Sequence, residues 1–222
     1  MIELTCIYKQ LIFFFVPVFM THFNIDSLGQ TERFYRANFI NCLTAFKSPI
    51  LIGTVSPKGD YNLAIFNNIV HLGSDPALIG FVNRPRAAAP HTLSNIEATG
   101  VYTMNHVTAD MIEKAHQTSA KYPEGVSEFD QTGLTTEIAG DCIAPFVKES
   151  PVKFSLKLKE VIPIHFNHTF FVIGAIQHIY LDRDIVQEDG CLDLQRTDIV
   201  ASLGIQEYYT LQKKSKLPYA KP

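Results

Sequence analysis

The segment from Asn62 to Thr92 concentrates the side chains in this chain that could bind a charged, planar ligand. It opens with the amide-rich run Asn-Leu-Ala-Ile-Phe-Asn-Asn, continues with an apolar stretch, and ends with two arginines, a histidine and a threonine. Amide and backbone groups can hydrogen-bond to the edge of a heteroaromatic ring, and guanidinium and hydroxyl groups bind phosphate. The segment therefore indicates a site for a phosphorylated planar ligand.

FMN belongs to this class of ligand because it combines a tricyclic ring, a polar pyrimidine edge and a terminal phosphate. The residues that could meet these parts are Leu63, Ala64, Ile65 and Phe66 for the ring, Asn67 and Asn68 for the polar edge, and Arg84, Arg86, His91 and Thr92 for the phosphate. Residues 92–95 could also begin a helical turn whose free backbone amides favour an anion. The alternative is an ordinary surface turn with solvated arginines, beside a strand that ends in asparagines.

Composition argues against nucleic acid as a partner and favours a reduced, cytoplasmic protein. The net charge is −3 and the sequence pI is about 6.2, so no general basic field would attract nucleic acid. Charged residues are only 18% of the chain, which suggests extra buried area such as a homo-oligomeric interface. The four cysteines are far apart and form no Cys-x-x-Cys pair, as in reduced, cytoplasmic proteins.

The first nineteen residues are predicted to be an N-terminal extension upstream of a natural start at Met20. The apolar run at 11–20 is half the length that spans a bilayer (~20 residues), so no membrane segment is expected. A signal peptide and a genuine strand or interface segment are the alternatives. Residues 20–222 show no linker or repeat, which predicts a single domain.

Periodicity and turn signals place the candidate residues within a mainly β fold. The predicted helices cover residues 32–47 and 108–120, and the predicted strands cover residues 50–56, 61–70, 77–83, 100–107, 152–159 and 169–181. Thr108 is the predicted N-cap of the second helix. The alternation from Val152 to Lys159 predicts a strand with one wet face. This order favours a barrel with helical decoration over a doubly wound sheet.

Several short motifs, in order and at similar spacing, resemble the flavin reductase-like family of FMN-binding split barrels. They are Asn62-Leu63-Ala64, Asp75-Pro76 with Gly80-Phe81, Asn83-Arg84-Pro85, His91-Thr92-x-x-Asn95-Ile96, Gly100-Val101-Tyr102-x-x-Asn105, Ser127-Glu128-Phe129, Gly133-Leu134, Glu149-Ser150-Pro151-Val152, Val172-Ile173-Gly174 and Asp189-Gly190-Cys191-Leu192-Asp193. The resemblance covers residues 34–209. Many members have a proline after the alanine and a serine shortly beyond, where this chain has Ile65 and Asn67-Asn68.

The resemblance implies a six-stranded antiparallel split barrel of Greek-key type that forms a homodimer and holds FMN near the subunit interface. The segment that follows Asn62-Leu63-Ala64 would line the flavin ring. The phosphate would lie at the Asn83-Arg84 turn and the His91-Thr92 pair. The implied cofactor-binding residues are Asn62, Ala64, Ile65, Phe66, Asn67, Asn68, Asn83, Arg84, Arg86, His91, Thr92 and Asn95.

The sequence carries no other catalytic or metal-binding signature. The glycines form no Gly-x-Gly-x-x-Gly arrangement, so NADH or NADPH would visit the flavin as a transient substrate. Hydride transfer requires stacked rings and no obligatory acid or base, so no catalytic residue is assigned. His165-x-x-His168 lies in a predicted turn without matching ligands, which favours two exposed turn histidines over a metal site.

These observations predict a cytoplasmic NAD(P)H:flavin oxidoreductase that passes electrons through bound FMN to flavin or another small acceptor. The first alternative is a flavoredoxin-like electron carrier that binds FMN without its own NAD(P)H turnover. The second is a barrel that has lost flavin and serves as a binding module. The departure from the family pattern at Asn67-Asn68 is the reason for this alternative.

Overall fold

The computed structural model of the protein describes residues 20–123 and 125–221. The chain forms two compact units, which divide after Ala37. The first contains α1 (Ile25–Gly29) and the start of α2 (Arg33–Cys42), and the second contains the remaining elements. The extension predicted for residues 1–19 lies outside the described residues, as do its two alternatives, and the single domain from residue 20 onwards stays a prediction.

The second unit is built on a seven-stranded sheet in which all neighbouring strands are antiparallel. Its strands are β1 (Ile50–Val55), β2 (Tyr61–Phe66), β3 (Ile69–Ser74), β4 (Ala77–Asn83), β5 (Val101–His106), β8 (Val152–Ile164) and β9 (Thr169–Leu181), in the order β2-β1-β5-β8-β9-β4-β3. The six-stranded sheet expected from the sequence is thus wrong by one strand. The segment 61–70 was predicted as one strand, but it breaks at Asn67-Asn68 into β2 and β3.

This break shows that the sheet curls into a barrel-like shape. β2 and β3 are the first and last strands of the order, so six strand spacings of ~4.8 Å would separate them by roughly 29 Å in a flat sheet. The link from Phe66 to Ile69 spans at most about 11 Å. The two edges must therefore approach one another at this link. The backbone N–H of Val82 donates to the carbonyl of Asn68 at 3.2 Å, which extends the β3–β4 ladder by one residue pair into the link.

Short helices and two small hairpins surround the sheet. They are α3 (Pro90–Thr99), α4 (Ile112–Gln117) and α5 (Glu128–Thr132), with hairpins β6 (Thr136–Glu137)–β7 (Phe146–Val147) and β10 (Val200–Leu203)–β11 (Glu207–Thr210). Short 3-10 turns cover Ala109–Met111, Arg183–Ile185 and Leu194–Arg196. No helix in the described ranges is long and apolar enough to cross a membrane.

Side chains on β1 serve two hydrophobic clusters because alternate residues of a strand point to opposite faces. Ile50 and Ile52 pack in a cluster with Leu93 and Ile96 of α3. Leu51, between them, packs in a second cluster that includes residues from α4 and α5. At β1, α3 therefore packs on one face of the sheet, and α4 and α5 pack on the other.

Two local expectations hold only in part, because polar side chains found partners inside the protein. Thr108 occupies the predicted N-cap position, but of a 3-10 turn that precedes α4, and its hydroxyl donates to the carboxylate of Asp110 instead of capping the backbone. The wet face predicted for β8 begins only at Lys157. Lys153 is buried because its ammonium group donates to the carboxylate of Glu137 and, at 3.2 Å, to the carbonyl of Val147.

Candidate functional site

A surface pocket of about 210 Å³ lies where the β2–β3 junction, the end of β4, the end of α4 and the β10–β11 hairpin meet. Its lining residues are Pro49, Ile65, Phe66, Asn67, Arg84, His116, Ser119, Ser202, Ile205, Gln206 and Tyr208. The pocket is smaller than the ~300–1,000 Å³ of sites that enclose drug-sized ligands. It is therefore suited to one end of such a molecule.

The β2–β3 junction supplies one wall of the pocket. The ring of Phe66 packs edge-on against Phe81, with 5.1 Å between ring centroids, so its position is set by the barrel core. The amide of Asn67 donates to the carbonyl of Gly204 at 2.8 Å and ties the junction to the β10–β11 turn. Three of the residues predicted for the flavin ring and its edge, Ile65, Phe66 and Asn67, are thus brought together here.

The two arginines that the sequence assigned to phosphate have different environments. The guanidinium of Arg86 donates to both carboxylate oxygens of Glu97, at 2.8 and 2.6 Å, and lies over the ring of Phe170, with 4.8 Å to the centroid. This pairing raises the pKa of Arg86. Arg84 is exposed and lines the pocket, and its guanidinium has no hydrogen-bond or ion-pair partner among the described residues. Arg84 is the arginine that is available to an anion.

The other predicted residues on β2 and α3 form a separate polar group. Asn62 donates its amide hydrogen to the hydroxyl of Thr92 at 3.2 Å. Asn95 is buried and donates to the hydroxyl of Thr54 at 3.1 Å. The helix begins at Pro90, two residues earlier than the turn suggested for residues 92–95, and its N-cap Ala89 provides no side-chain cap. The first-turn amides of α3, including that of Thr92, therefore lack a capping side chain.

Of the four remaining predicted residues, His91 is the second residue of α3, and the other three adjoin pocket residues in the sequence without lining the pocket. Ala64 is half-buried in β2, opposite Ile52. Asn68 is exposed, and its backbone carbonyl accepts from the N–H of Val82 of β4. Asn83 is fully buried at the end of β4 and donates to the carbonyl of Arg84 at 2.7 Å, which fixes the turn that presents this arginine.

The sequence reasoning missed a buried carboxylate beside the Asn62–Thr92 group. Glu128 on α5 accepts a hydrogen bond at 2.9 Å from the backbone N–H of Leu63, a residue that is also fully buried. Burial raises the pKa of Glu128, and the hydrogen bond from Leu63 and the charge of nearby His91 partly offset this effect. Glu128 had been noted only within the Ser127-Glu128-Phe129 motif, with no role attached.

A second, polar part of the pocket lining was also missed, because its members lie far apart in the sequence. Nδ1 of His116 on α4 lies 3.1 Å from the hydroxyl oxygen of Tyr208 on β11, and their rings meet edge to face. Ser119 and Gln206 complete this polar wall. From the sequence, His116 is one of several scattered histidines. No local signal connects it with a tyrosine 92 positions later.

The described residues contain no group of three or more histidine, cysteine or acidic side chains that could hold a metal ion. His165 and His168 lie in the turn between β8 and β9, as predicted. His168 has a positive φ of 59°, a conformation that turns tolerate more readily than strands.

Comparison with known proteins places this architecture in a family. Residues 43–198 match the model of the flavin reductase like domain. A candidate flavin reductase with a split barrel domain from Shewanella frigidimarina shares 48% sequence identity, with a TM-score of 0.87 over 90% of this chain and all of the other. The chain belongs to the flavin reductase-like family. The resemblance drawn from the motifs is therefore confirmed.

Two further structures of lower identity share the fold of this flavin reductase-like chain. Nitrilotriacetate monooxygenase component B from Bacillus cereus has a TM-score of 0.79 at 17% identity, over 89% of this chain and 98% of the other. Flavoredoxin of Desulfovibrio vulgaris (Miyazaki F) has a TM-score of 0.69 at 24% identity, over 79% of this chain and 92% of the other. These matches confirm a mainly β, antiparallel split-barrel architecture.

The residues around the pocket fit a flavin mononucleotide on chemical grounds. Ile65 and Phe66 offer apolar contact for a ring, and Arg84 offers an unpaired cation for a phosphate. None of the lining residues is acidic, so nothing in the lining opposes an anion. The amide of Asn67, by contrast, is already bonded to Gly204.

Proposed function

We propose that this flavin reductase-like protein is an FMN-dependent oxidoreductase, which takes electrons from NADH or NADPH and passes them to flavin or another small acceptor. The observation that carries the proposal is the junction pocket, where an apolar wall and the unpaired guanidinium of Arg84 occur together in a chain of this family. When bound, FMN would supply the hydride and electron chemistry. The protein would contribute binding, orientation and a pocket wall.

The ring and phosphate ends would be held by different elements. Ile65 and Phe66 would contact the ring, because both side chains line the pocket. Phe66 is held in place by its packing against Phe81. Arg84 would bind the phosphate, with the uncapped first turn of α3 at His91 and Thr92 as further donors. For Arg86 to bind phosphate, its bidentate pair with Glu97 would have to break. We therefore assign Arg86 a smaller part than the motif implied.

The oligomeric state and the cellular compartment are also part of this proposal. We propose a cytoplasmic homodimer with FMN near the subunit interface and a nicotinamide that stacks transiently on the flavin. The chain's low charged fraction of 18% supports extra interface area. Exposed apolar residues of β3, Val70 and Leu72, at 44% and 42% exposure, offer one surface for such an interface.

A flavoredoxin-like electron carrier is the second candidate, which the shared fold with flavoredoxin supports at the level of architecture alone. The oxidoreductase proposal predicts that excess NADH or NADPH bleaches the bound flavin rapidly under anaerobic conditions. Stopped-flow absorbance measures this directly. Bleaching by a reduced protein partner, with neither nicotinamide effective, would favour the carrier and contradict the reductase. FMN alone under the same conditions is the control.

A further inference from the structure

The pocket has a polar wall that the proposed flavin contacts do not use. It is formed by His116 of α4, by Ser119 just after that helix, and by side chains of the β10–β11 hairpin. His116 and Tyr208 are half-buried, and Ser119 is exposed to solvent at the rim. Hydrogen-bond donors from three separate elements, counting Arg84 at the end of β4, therefore converge on one small volume.

The charges around this volume favour an anion. Arg84 contributes a guanidinium without a protein partner, and the lining contains no carboxylate. The nearest acidic neighbour along the hairpin, Glu207, accepts a hydrogen bond from the hydroxyl of Tyr209. Burial raises the pKa of Tyr208, which keeps its phenol neutral at physiological pH. The hydroxyl can donate to an anion when Nδ1–H of His116 is the donor in the hydrogen bond between the two side chains.

The two walls are held together before any ligand binds. Asn67 donates to the carbonyl of Gly204, and the hydrogen bond between His116 and Tyr208 joins α4 to β11. The backbone of Lys47 also pairs with Ser202, through hydrogen bonds of 2.9 and 2.8 Å. Donors that are already positioned lose little conformational freedom when a ligand binds, which favours affinity.

We infer that Arg84, His116, Ser119 and Tyr208, which all line the pocket, form a subsite for an oxyanion. The geometry carries this subsite, and the identity of its ligand rests on the proposed function. The oxyanion would be the phosphate of a flavin nucleotide or the carboxylate of a small acceptor, since both present oxygens to a guanidinium and hydroxyl groups. A volume of about 210 Å³ accommodates either group.

The experiment titrates the full chain, free of flavin, with inorganic phosphate and separately with benzoate. Binding is followed by calorimetry and by the ring resonances of His116 in NMR spectra, assigned with the variant His116→Asn. Tyr208→Phe removes one hydroxyl and keeps the ring. Tyr122→Phe is the matched control, because it removes a hydroxyl that accepts from Gln117 of α4 but does not line the pocket. Circular dichroism confirms that each variant folds.

The subsite predicts that one or both anions shift the His116 resonances, and that Tyr208→Phe and His116→Asn each weaken that binding about tenfold while Tyr122→Phe does not. If these two variants also reduce the preference for FMN over riboflavin, the oxyanion is the flavin phosphate. If benzoate binding falls and that preference is unchanged, it is an acceptor carboxylate. Absence of binding by both anions, or equal binding in all variants, would overturn the inference. Failure of the wild-type protein to bind any flavin would contradict the proposed function alone, because the anion titration requires no flavin.

Discussion

Replacement of Arg84 by glutamine is expected to weaken FMN binding ten- to a hundredfold. The guanidinium is unpaired and lines the pocket, so the substitution would remove a charge-assisted hydrogen bond without breaking an existing contact. Such a bond contributes about 1.5–3 kcal/mol. Riboflavin affinity should change little, because riboflavin lacks the phosphate. Fluorescence titration of the two flavins against wild-type and variant protein measures both effects.

Two further arginine variants make this test specific. Arg86→Gln should weaken FMN binding less than Arg84→Gln, because the guanidinium of Arg86 is committed to Glu97 and Phe170. Arg183→Gln, in a short turn that does not line the pocket, removes the same charge and should have no effect. A loss that is equal for Arg84 and Arg183, or absent for Arg84, would contradict the assignment of the phosphate.

The largest pH effect on stability is expected from His106, the last residue of β5. Burial lowers the pKa of its imidazole from 6.5 to about 4 in the folded chain. Its Nδ1 is buried without a hydrogen-bond partner among the described residues, and its ring lies 6.4 Å from that of Phe154. The unfolded chain therefore takes up this proton first as the pH falls. Stability is present above pH 6.5 and is lost progressively towards pH 4.

A shift from 6.5 to about 4 corresponds to about 3 kcal/mol of unfolding free energy across that window. Urea unfolding of the wild-type protein at several pH values, compared with His106→Gln, isolates this contribution. The raised pKa of Glu128 acts in the opposite direction, since the folded chain binds that proton more readily than the unfolded chain as the pH falls. Because both proteins contain Glu128, its contribution cancels when the unfolding free energy of the variant is subtracted from that of the wild type. A difference that does not change between pH 6.5 and pH 4 would contradict the account.

Much of the barrel could be predicted from the sequence because the information is local. The turn at residues 56–60 and the apolar runs on either side define β1 and β2, and the long apolar run of 169–181 matches β9, an interior strand of the sheet. Asn67-Asn68 did not reveal the break into β2 and β3. Both residues lie within an otherwise continuous pattern, and the break is required by closure of the sheet, which is a tertiary effect.

The site was predicted in part for the same reason. Ile65, Phe66, Asn67 and Arg84 lie within one stretch of the chain and do meet at the pocket. His116 and Tyr208 meet only because the β10–β11 hairpin folds back against α4. Whether a charged residue is free is also a tertiary property. Nothing near Arg86 in the sequence indicated that its guanidinium would pair with the carboxylate of Glu97 in α3, the helix that follows.

The central claim is that the junction pocket binds the flavin, and a visible absorption spectrum tests it most directly. The purified protein is incubated with excess FMN, freed of unbound flavin by gel filtration and compared with Arg84→Gln treated in the same way. The account predicts that the wild-type protein retains the two visible absorption bands of oxidised flavin and that the variant retains far less. A colourless wild-type protein, or equal retention by both proteins, would contradict it.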